Sequence, residues 1–190
     1  FIKGKKVSVK SAAQAVDEGI GLVPEDRKRH GLVLLMSIKE NLTLPILKRL
    51  ANIGWVKKKE ENEVVDKYCE RMSVRMTGTD ALVASLSGGN QQKVVLARWL
   101  AANCAILFLD EPTRGVDVGA KAEMHSLIDQ LAREGVGVLL ISSELPEVIN
   151  LSTRILVLRN GHIAAEIPRE KADQETLMCF MAGVNTSCEI

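Results

Sequence analysis

No apolar run in this sequence approaches the ~18 residues that a membrane-spanning helix requires, and no signal-peptide pattern is present. Any membrane role is therefore expected to come through a partner. An excess of charge of one sign is equally missing. Basic residues number 25 and acidic ones 24, for a formal net charge of +1, so global charge speaks neither for nor against a nucleic-acid partner. The cysteines, at 69, 104, 179 and 188, make no CxxC pair and show no metal-ligand spacing. A reducing, cytosolic compartment is the default, and Cys104, beside an expected buried strand, reads as a small core residue. What is present is an ordinary globular composition, 46% hydrophobic and 26% charged over 190 residues, enough for one domain with a real core. The chain opens on Phe1 rather than Met, and its first residues read as the middle of a fold. A fragment is expected.

In chain order, the pattern predicts a weak edge strand over residues 5–9 and a helix from Ser11, with Gln14 completing a capping box and Gly19 as its stop. A short strand over 21–23 is ended by Pro24. Glu25 to Gly31 is a dense charged run, expected to be solvent-exposed and, because it follows a strand, a candidate contact loop. Between 37 and 85 no strand is expected. A helix over 37–50 is interrupted at Pro45, Gly54 breaks it, and a charged helix over 57–72 packs through Val64, Val65, Tyr68 and Met72. The run Lys57-Lys58-Lys59-Glu60-Glu61 reads as that helix's solvated face. The composition shift marks a helical subdomain inserted into a sheet-containing core.

A helix opening at Ser87 carries Val94, Val95, Leu96, Ala97, Leu100 and Ala101, apolar around much of its circumference, and should be buried. The run Ala105-Ile106-Leu107-Phe108-Leu109 has no polar alternation, which predicts a central strand covered on both faces. Met124, Leu127, Ile128 and Leu131 give an amphipathic helix ending near Gly135, and 136–141 is expected to be a second buried strand. Strand, helix, strand in this order predicts a βαβ unit in a parallel sheet. A short helix over 145–151 precedes two apolar runs joined by Asn160-Gly161, the strongest short-range hairpin signal. Residues 169–181 are expected to close as one helix, with fraying from Val184 onward.

Two stretches carry chemistry. Leu86-Ser87-Gly88-Gly89-Asn90-Gln91-Gln92-Lys93 puts a Ser-Gly-Gly turn at the mouth of a helix, where unpartnered N–H groups and the helix dipole favour an anion. Ser87-Gly88-Gly89 alone is also what an N-cap and a tight turn require. Downstream, Asp110-Glu111-Pro112-Thr113 ends a buried strand with two carboxylates able to hold a metal and a water. A phosphate contact and a magnesium-and-water contact so close together point to nucleotide chemistry.

LSGGNQQK at 86–93, ILFLDEPT at 106–113 and a further Asp at 117 resemble the ATP-binding cassette family of ATPases. The finer resemblance is to the second cassette of the tandem ATPase subunits of bacterial monosaccharide importers of the ribose, xylose and galactose type. It rests on VPEDRKRHGL at 23–32, ENL at 40–42, LSGGNQQKVVLARWL at 86–100, DEPTRGVDVGAK at 110–121 and ISSELPEV at 141–148, and runs from about residue 3 to residue 182. It implies an α/β fold with a P-loop NTPase-like parallel sheet core truncated at its N-terminus, an inserted helical subdomain, and a C-terminal β-hairpin plus helix. The implied division is 1–36, partial ATPase core; 37–85, helical signature subdomain; 86–168, core with signature helix, Walker B, D-loop and switch segment; and 169–190, terminal helix and tail.

The resemblance implies ATP and Mg²⁺ as cofactors. Asp110 would bind Mg²⁺, and Glu111 would polarise the attacking water as general base. Ser87, Gly88, Gly89, Asn90 and Gln91 would contact ATP held by another cassette, and Asp117 matches the D-loop aspartate, though alone it is equally a helix N-cap. Glu25 takes the nucleotide-binding Q-loop position, where most cassettes have glutamine, and Ser143, followed by Glu144, takes the catalytic switch position, where most have histidine; at both the chain departs from the family. His30, His125 and His162 lie elsewhere and read as surface residues. No GxxxxGK[ST] occurs, since Gly4-Lys5 is preceded by only three residues and followed by Lys6. The chain is therefore expected to begin after the P-loop and to be inactive by itself. Implied partners are the N-terminal cassette of the same subunit, a transmembrane sugar permease and, indirectly, a periplasmic sugar-binding protein, with no nucleic acid, at the cytoplasmic face of the membrane. Two other classes share these motifs: a soluble cassette ATPase acting on nucleic acid or ribosomes, and a non-catalytic cassette module.

Overall fold

A computed structural model of the protein describes residues 1–2, 4–52 and 54–183; the expected frayed tail from Val184 lies outside them. The chain divides into two compact units, Phe1–Leu139 and Leu140–Ile190.

In the first unit, residues 6–10 form no strand. Ile2 and Lys5 exchange backbone hydrogen bonds of 2.9 Å around Gly4, and the weak alternation that follows buries too little to hold a ladder. Ser11 caps α1 (Ala12–Asp17), its hydroxyl accepting from the Gln14 N–H at 3.2 Å. The Gln14 side chain accepts from the Lys10 N–H at 2.8 Å, one residue earlier than a capping box requires. β1 (Ile20–Val23) leads to Pro24 and then to a π-helical turn over Arg27–Gly31, capped by Asp26.

Ser37 and Glu40 open α2 (Ile38–Thr43) with a complete capping box, and Pro45 converts Leu44–Ile46 to a 3₁₀ turn before α3 (Leu47–Leu50). Contrary to the expectation of no strand, β2 (Ala51–Asn52) and β3 (Trp55–Val56) pair as a hairpin around Gly54. Two residues per strand are too few to leave a periodic signature. α4 (Lys58–Arg71) buries Val65, Tyr68 and Cys69, with Met72 beyond its end. α5 (Gly88–Ala101) packs against α2 and α4 and is closed nearly all round, as its composition requires.

The sheet runs β1, then β4 (Ile106–Asp110) at its centre. β1 and β4 are parallel, with Leu22 opposite Phe108 and Val23 opposite Leu109. Leu107 and Leu109 are fully buried, whereas Ile106 and Phe108 are half-buried and Leu22 is exposed, so only one face is closed. The continuous apolar run had predicted both. On the closed side, Gly21 leaves room for Trp99, whose Nε1–H donates to Leu22 O at 2.7 Å; a Cβ on Gly21 would stand 2.8 Å from the indole. α6 (Val118–Arg133) buries Met124, Ile128 and Leu131 and leads to β5 (Gly137–Ile141), third in the sheet. Leu139 and Ile141 are exposed, so β5 is not the buried strand its composition predicted. It is the outer strand of the sheet among the described residues, and composition does not say which elements cover its face.

Inside α5, Arg98 forms a buried polar hub with Asn41. Arg98 donates to Asn41 O at 2.7 Å, to Asn41 Oδ1 at 3.1 Å and to Gly31 O. Asn41, fully buried, in turn accepts from the Val33 N–H at 2.8 Å and donates to Val33 O at 2.9 Å. Burial pushes the Arg98 guanidinium down to about 10.

In the second unit, α7 (Leu145–Leu151) precedes the antiparallel pair β6 (Arg154–Arg159) and β7 (His162–Pro168). Asn160 and Gly161 both have positive φ, 51° and 79°, the geometry of the tight turn their sequence predicted. Ile155, Val157 and Ile167 form a core with Leu177 of α8 (Gln174–Ala182), flanked by Leu145, Val148 and Phe180. Residues 169–181 are not one helix. Arg169–Lys171 make a 3₁₀ turn, and Asp173 restarts the chain as an N-cap, accepting from the Thr176 N–H at 2.7 Å.

Candidate functional site

Ser87 is the exposed N-cap of α5, in extended backbone at φ −61° and ψ 158°. Its Oγ accepts from Asn90 Nδ2–H at 2.9 Å, and Asn90 Oδ1 accepts from the Arg75 N–H at 2.8 Å, so Asn90 is held at both ends. The first-turn N–H groups of such a helix have no acceptor within it and carry the positive end of its dipole. Gln91 turns inward: it is buried, its Nε2–H donates to Val83 O at 3.3 Å, and the Oε1 atoms of Gln91 and Gln92 find no partner among the described residues. Next in the helix, buried Lys93 donates to Glu123 at 2.7 Å and to Ser73 O at 3.2 Å. The Lys93 bond and charge, joined by Arg75, hold the Glu123 carboxyl below the usual range.

The two glycines have a packing reason of their own. A Cβ on Gly88 would stand 2.6 Å from Arg27 Nη2 and 2.9 Å from Gly115 O, and one on Gly89 would stand 2.7 Å from Ala120 Cβ. The mouth of α5 is thus set directly on the Arg27 turn, on the loop after β4 and on the first turn of α6.

Asp110 ends β4 half-buried. Glu111 follows at φ +46°, in the left-handed region, immediately before Pro112. A non-glycine residue so placed costs about 1–3 kcal/mol and persists where its surroundings over-determine it. Its carbonyl accepts from the Arg114 N–H at 3.0 Å, closing a tight loop in which Thr113 is buried. Asp117 is the N-cap of α6, its carboxylate accepting from the Ala120 N–H at 2.9 Å.

The structure also places Glu25. Its carboxylate is ion-paired with the Arg114 guanidinium, and two residues later Arg27, 8% exposed, donates from Nη1 to Arg114 O at 2.7 Å and from Nη2 to Gly115 O at 3.2 Å. Burial lowers the Arg27 pKa, partly opposed by Asp26. Glu25, Gly88, Gly89 and the 110–117 loop with Asp117 are therefore linked within the first unit. Ser143 belongs to the second unit, exposed between β5 and α7, where the Glu144 N–H donates to Ser142 Oγ at 3.1 Å.

Arg27 escaped the sequence reading. Nothing in Glu25-Asp26-Arg27-Lys28-Arg29-His30 distinguishes it from its solvated neighbours, because a turn offers no periodicity to mark an inward side chain. Asn41 and Arg98 were equally hidden, although each lies in a quoted motif.

Residues 1–114 match the ABC transporter family. The chain belongs to that family. It is similar to the ribose import ATP-binding protein RbsA of Geobacillus kaustophilus, at 48% identity over 97% of this chain and 37% of that protein. It is also similar to the xylose import ATP-binding protein XylG of Thermoanaerobacter pseudethanolicus, at 44% identity over 96% of this chain and 36% of that one. The chain thus spans little more than a third of the length of these relatives. Among solved structures, the ATP-binding cassette MJ0796 in a dimeric post-hydrolysis state with ADP and Pi matches with a TM-score of 0.69 at 22% identity, over 85% of this chain and 68% of that one. An inward-facing ABC transporter of metal-chelate type matches with a TM-score of 0.73 at 18% identity, over 87% and 64%. At those identities the likeness is one of fold. The fold is the α/β, P-loop NTPase-like cassette with a parallel sheet core that the motifs implied.

Proposed function

We propose that this ABC cassette is the ATP-binding and ATP-hydrolysing part of a monosaccharide importer, coupling ATP hydrolysis to sugar uptake through a membrane permease. The observation that carries this reading is the identity of 44–48% to ribose and xylose import ATP-binding proteins over nearly the whole chain. The relatives of 44–48% identity bear the names of sugar import proteins, and the balanced charge offers the nucleic-acid alternative no support. No helix among the described residues is long and apolar enough to cross a membrane. In the proposed assembly a transmembrane permease holds the subunit peripherally, at the cytoplasmic face. The N-terminal cassette of the same subunit and a periplasmic sugar-binding protein complete the proposed assembly.

In this reading Ser87, Gly88 and Gly89, with Asn90 and Gln91 behind them, close over an ATP whose P-loop belongs to the other cassette. The exposed Ser87 hydroxyl and the first-turn N–H groups of α5 supply the anion contacts. Asp110 fits Mg²⁺, an ion that needs only one or two carboxylates beside phosphate and water. Its carboxylate enters none of the hydrogen bonds or ion pairs among the described residues, and no cluster of three or more His, Cys, Asp or Glu competes there. When bound with nucleotide, the ion supplies charge neutralisation at the phosphates. Glu111, fixed by its strained backbone, orients and polarises the attacking water. Asp117 holds the α6 end of the loop facing the neighbouring cassette. Ser143 takes the place of a switch histidine, and a serine has no imidazole to offer the γ-phosphate, so hydrolysis at this cassette's own site is impaired.

The test is the full-length gene product, assembled with permease and sugar-binding protein in proteoliposomes. Ser87→Arg should abolish sugar-stimulated ATPase activity, and undiminished turnover would sink the proposal. The 190 residues alone contain no GxxxxGK[ST] and are expected neither to hydrolyse ATP nor to bind it tightly. Calorimetry giving micromolar MgATP binding to them would overturn that expectation.

A further inference from the structure

Turn 25–31 grips loop 111–117 twice, through different chemistry. Glu25 is ion-paired with the Arg114 side chain, and Arg27 donates to the carbonyls of Arg114 and Gly115. The same guanidinium lies beneath Gly88, where a Cβ would stand 2.6 Å from Arg27 Nη2 and 2.9 Å from the backbone O of Gly115. We propose that this turn is a clasp that sets loop 111–117 against the mouth of α5, with Arg27 as its positioning residue, and that Glu25 serves the clasp rather than the nucleotide.

The physical case rests on what Arg27 gives up. Its guanidinium is almost out of water, its described acceptors are two neutral carbonyls, and Nε has no partner among the described residues. A methionine of similar length would fill the space without that desolvation cost. What the guanidinium adds is direction. Two N–H groups of one rigid plane fix two successive carbonyls, and those carbonyls lie three and four residues after Glu111 and three and two before Asp117. Holding them pins the middle of the loop between the Glu111 and Asp117 carboxylates. The chain's departure from glutamine at position 25 then has a local reason, since a glutamine there would not pair electrostatically with Arg114.

For its kinetic consequence this inference rests on the function proposed above, so the experiment carries two readouts. In the full-length gene product, Arg27→Met is expected to lower kcat at least about tenfold while the KM for ATP stays within about twofold, with Arg27→Lys recovering part of the loss. Hydrogen exchange of the amides at 114–118 is expected to speed up about tenfold in Arg27→Met. Charge reversal gives a second route that leaves the interior untouched: Glu25→Arg and Arg114→Glu should each speed that exchange, and the double variant should restore it. If the wild type shows no sugar-stimulated ATPase activity yet Arg27→Met speeds exchange at 114–118, the clasp stands and the importer reading falls. Wild-type kcat and wild-type exchange in Arg27→Met would overturn the clasp. Equal collapse of melting temperature and kcat in both Arg27 variants would reduce Arg27 to a structural residue. Should Arg27→Met fail to fold, unchanged exchange in both single charge reversals would overturn the clasp by itself.

Discussion

Two charged runs, Glu25 to His30 and Lys57 to Glu61, look alike in the sequence and behave differently in the fold. Each buries one charged residue among solvated neighbours: Arg27 in the first, Glu61 in the second. Glu61 lies on the same face of α4 as Val65, Tyr68 and Cys69, at helical spacing, and its carboxylate takes the Thr43 hydroxyl at 3.0 Å. Its burial follows from helix phase. Arg27 sits in a single π-helical turn with no phase to read, and it is buried because Gly88, Arg114 and Gly115 converge on it from distant parts of the chain. The expectation that the whole 57–61 run is solvated therefore fails at Glu61, whose helical spacing to Val65, Tyr68 and Cys69 carried the signal, whereas a turn offers no such signal for Arg27.

The largest effect that would break this contrast comes from filling the space above Arg27. Gly88→Ala puts a methyl against a guanidinium and a backbone carbonyl, and overpacking of this kind costs about 3 kcal/mol at its upper end. Helix propensity runs the other way, favouring Ala over Gly by about 1 kcal/mol in a helix interior. A spacious site would therefore be stabilised. Denaturant unfolding of Gly88→Ala with unchanged or raised stability would show that Arg27 and the Gly115 carbonyl do not close the space at Gly88.

The next effect belongs to the helix. Glu61→Ala removes the acceptor facing the Thr43 hydroxyl and should cost about 1–2 kcal/mol, the range for leaving a buried hydroxyl without that partner. Glu61→Gln keeps an acceptor and should cost less. Lys39 O also lies 3.0 Å from that hydroxyl and limits the loss. If the two substitutions cost the same, the bond contributes nothing and only the packing of the stem matters.

These cases explain how much of the molecule could be read in advance. The helices at 58–71, 88–101 and 118–133 and the hairpin at Asn160-Gly161 are local: capping, period and turn chemistry suffice for them. The exposure of Leu22, Leu139 and Ile141 is not local, because strand composition cannot say which neighbours cover a sheet face. At the candidate site, motif spacing singled out Ser87, Gly88, Asp110 and Glu111. It could not supply the second reason for Gly88, which depends on Arg27 and Gly115, or the pairing of Glu25 with Arg114 across almost ninety residues of chain.

Lys93 on α5 sharpens the contrast through pH. It is buried against Glu123, whose carboxyl it holds below the ordinary value of 4.5. A carboxyl lowered in the folded state is protonated first in the unfolded chain. The stability it contributes is therefore present above 4.5 and lost as pH falls through the lowered folded value. Lys93→Met should flatten this acid limb, with Arg75 keeping part of the effect. The measurement is the difference in urea midpoint between neutral pH and about pH 3, compared with wild type. An unchanged difference would mean that Lys93 does not set the titration of Glu123.

The smallest effect lies in the run that stays in water. Lys58 and Lys59 are exposed in the first turn of α4, where two positive charges meet the positive end of the helix dipole. Replacing either by alanine removes that repulsion and exchanges a good helix former for the best one. Each substitution should therefore change stability by less than about 0.5 kcal/mol, in the stabilising direction. Lys57 stays out of this test because its ammonium pairs with Glu60 at 2.8 Å. A loss above about 1 kcal/mol on Lys59→Ala is beyond what a solvated surface side chain can cause. It would place Lys59 in the same class as Arg27 and erase the difference between the two runs.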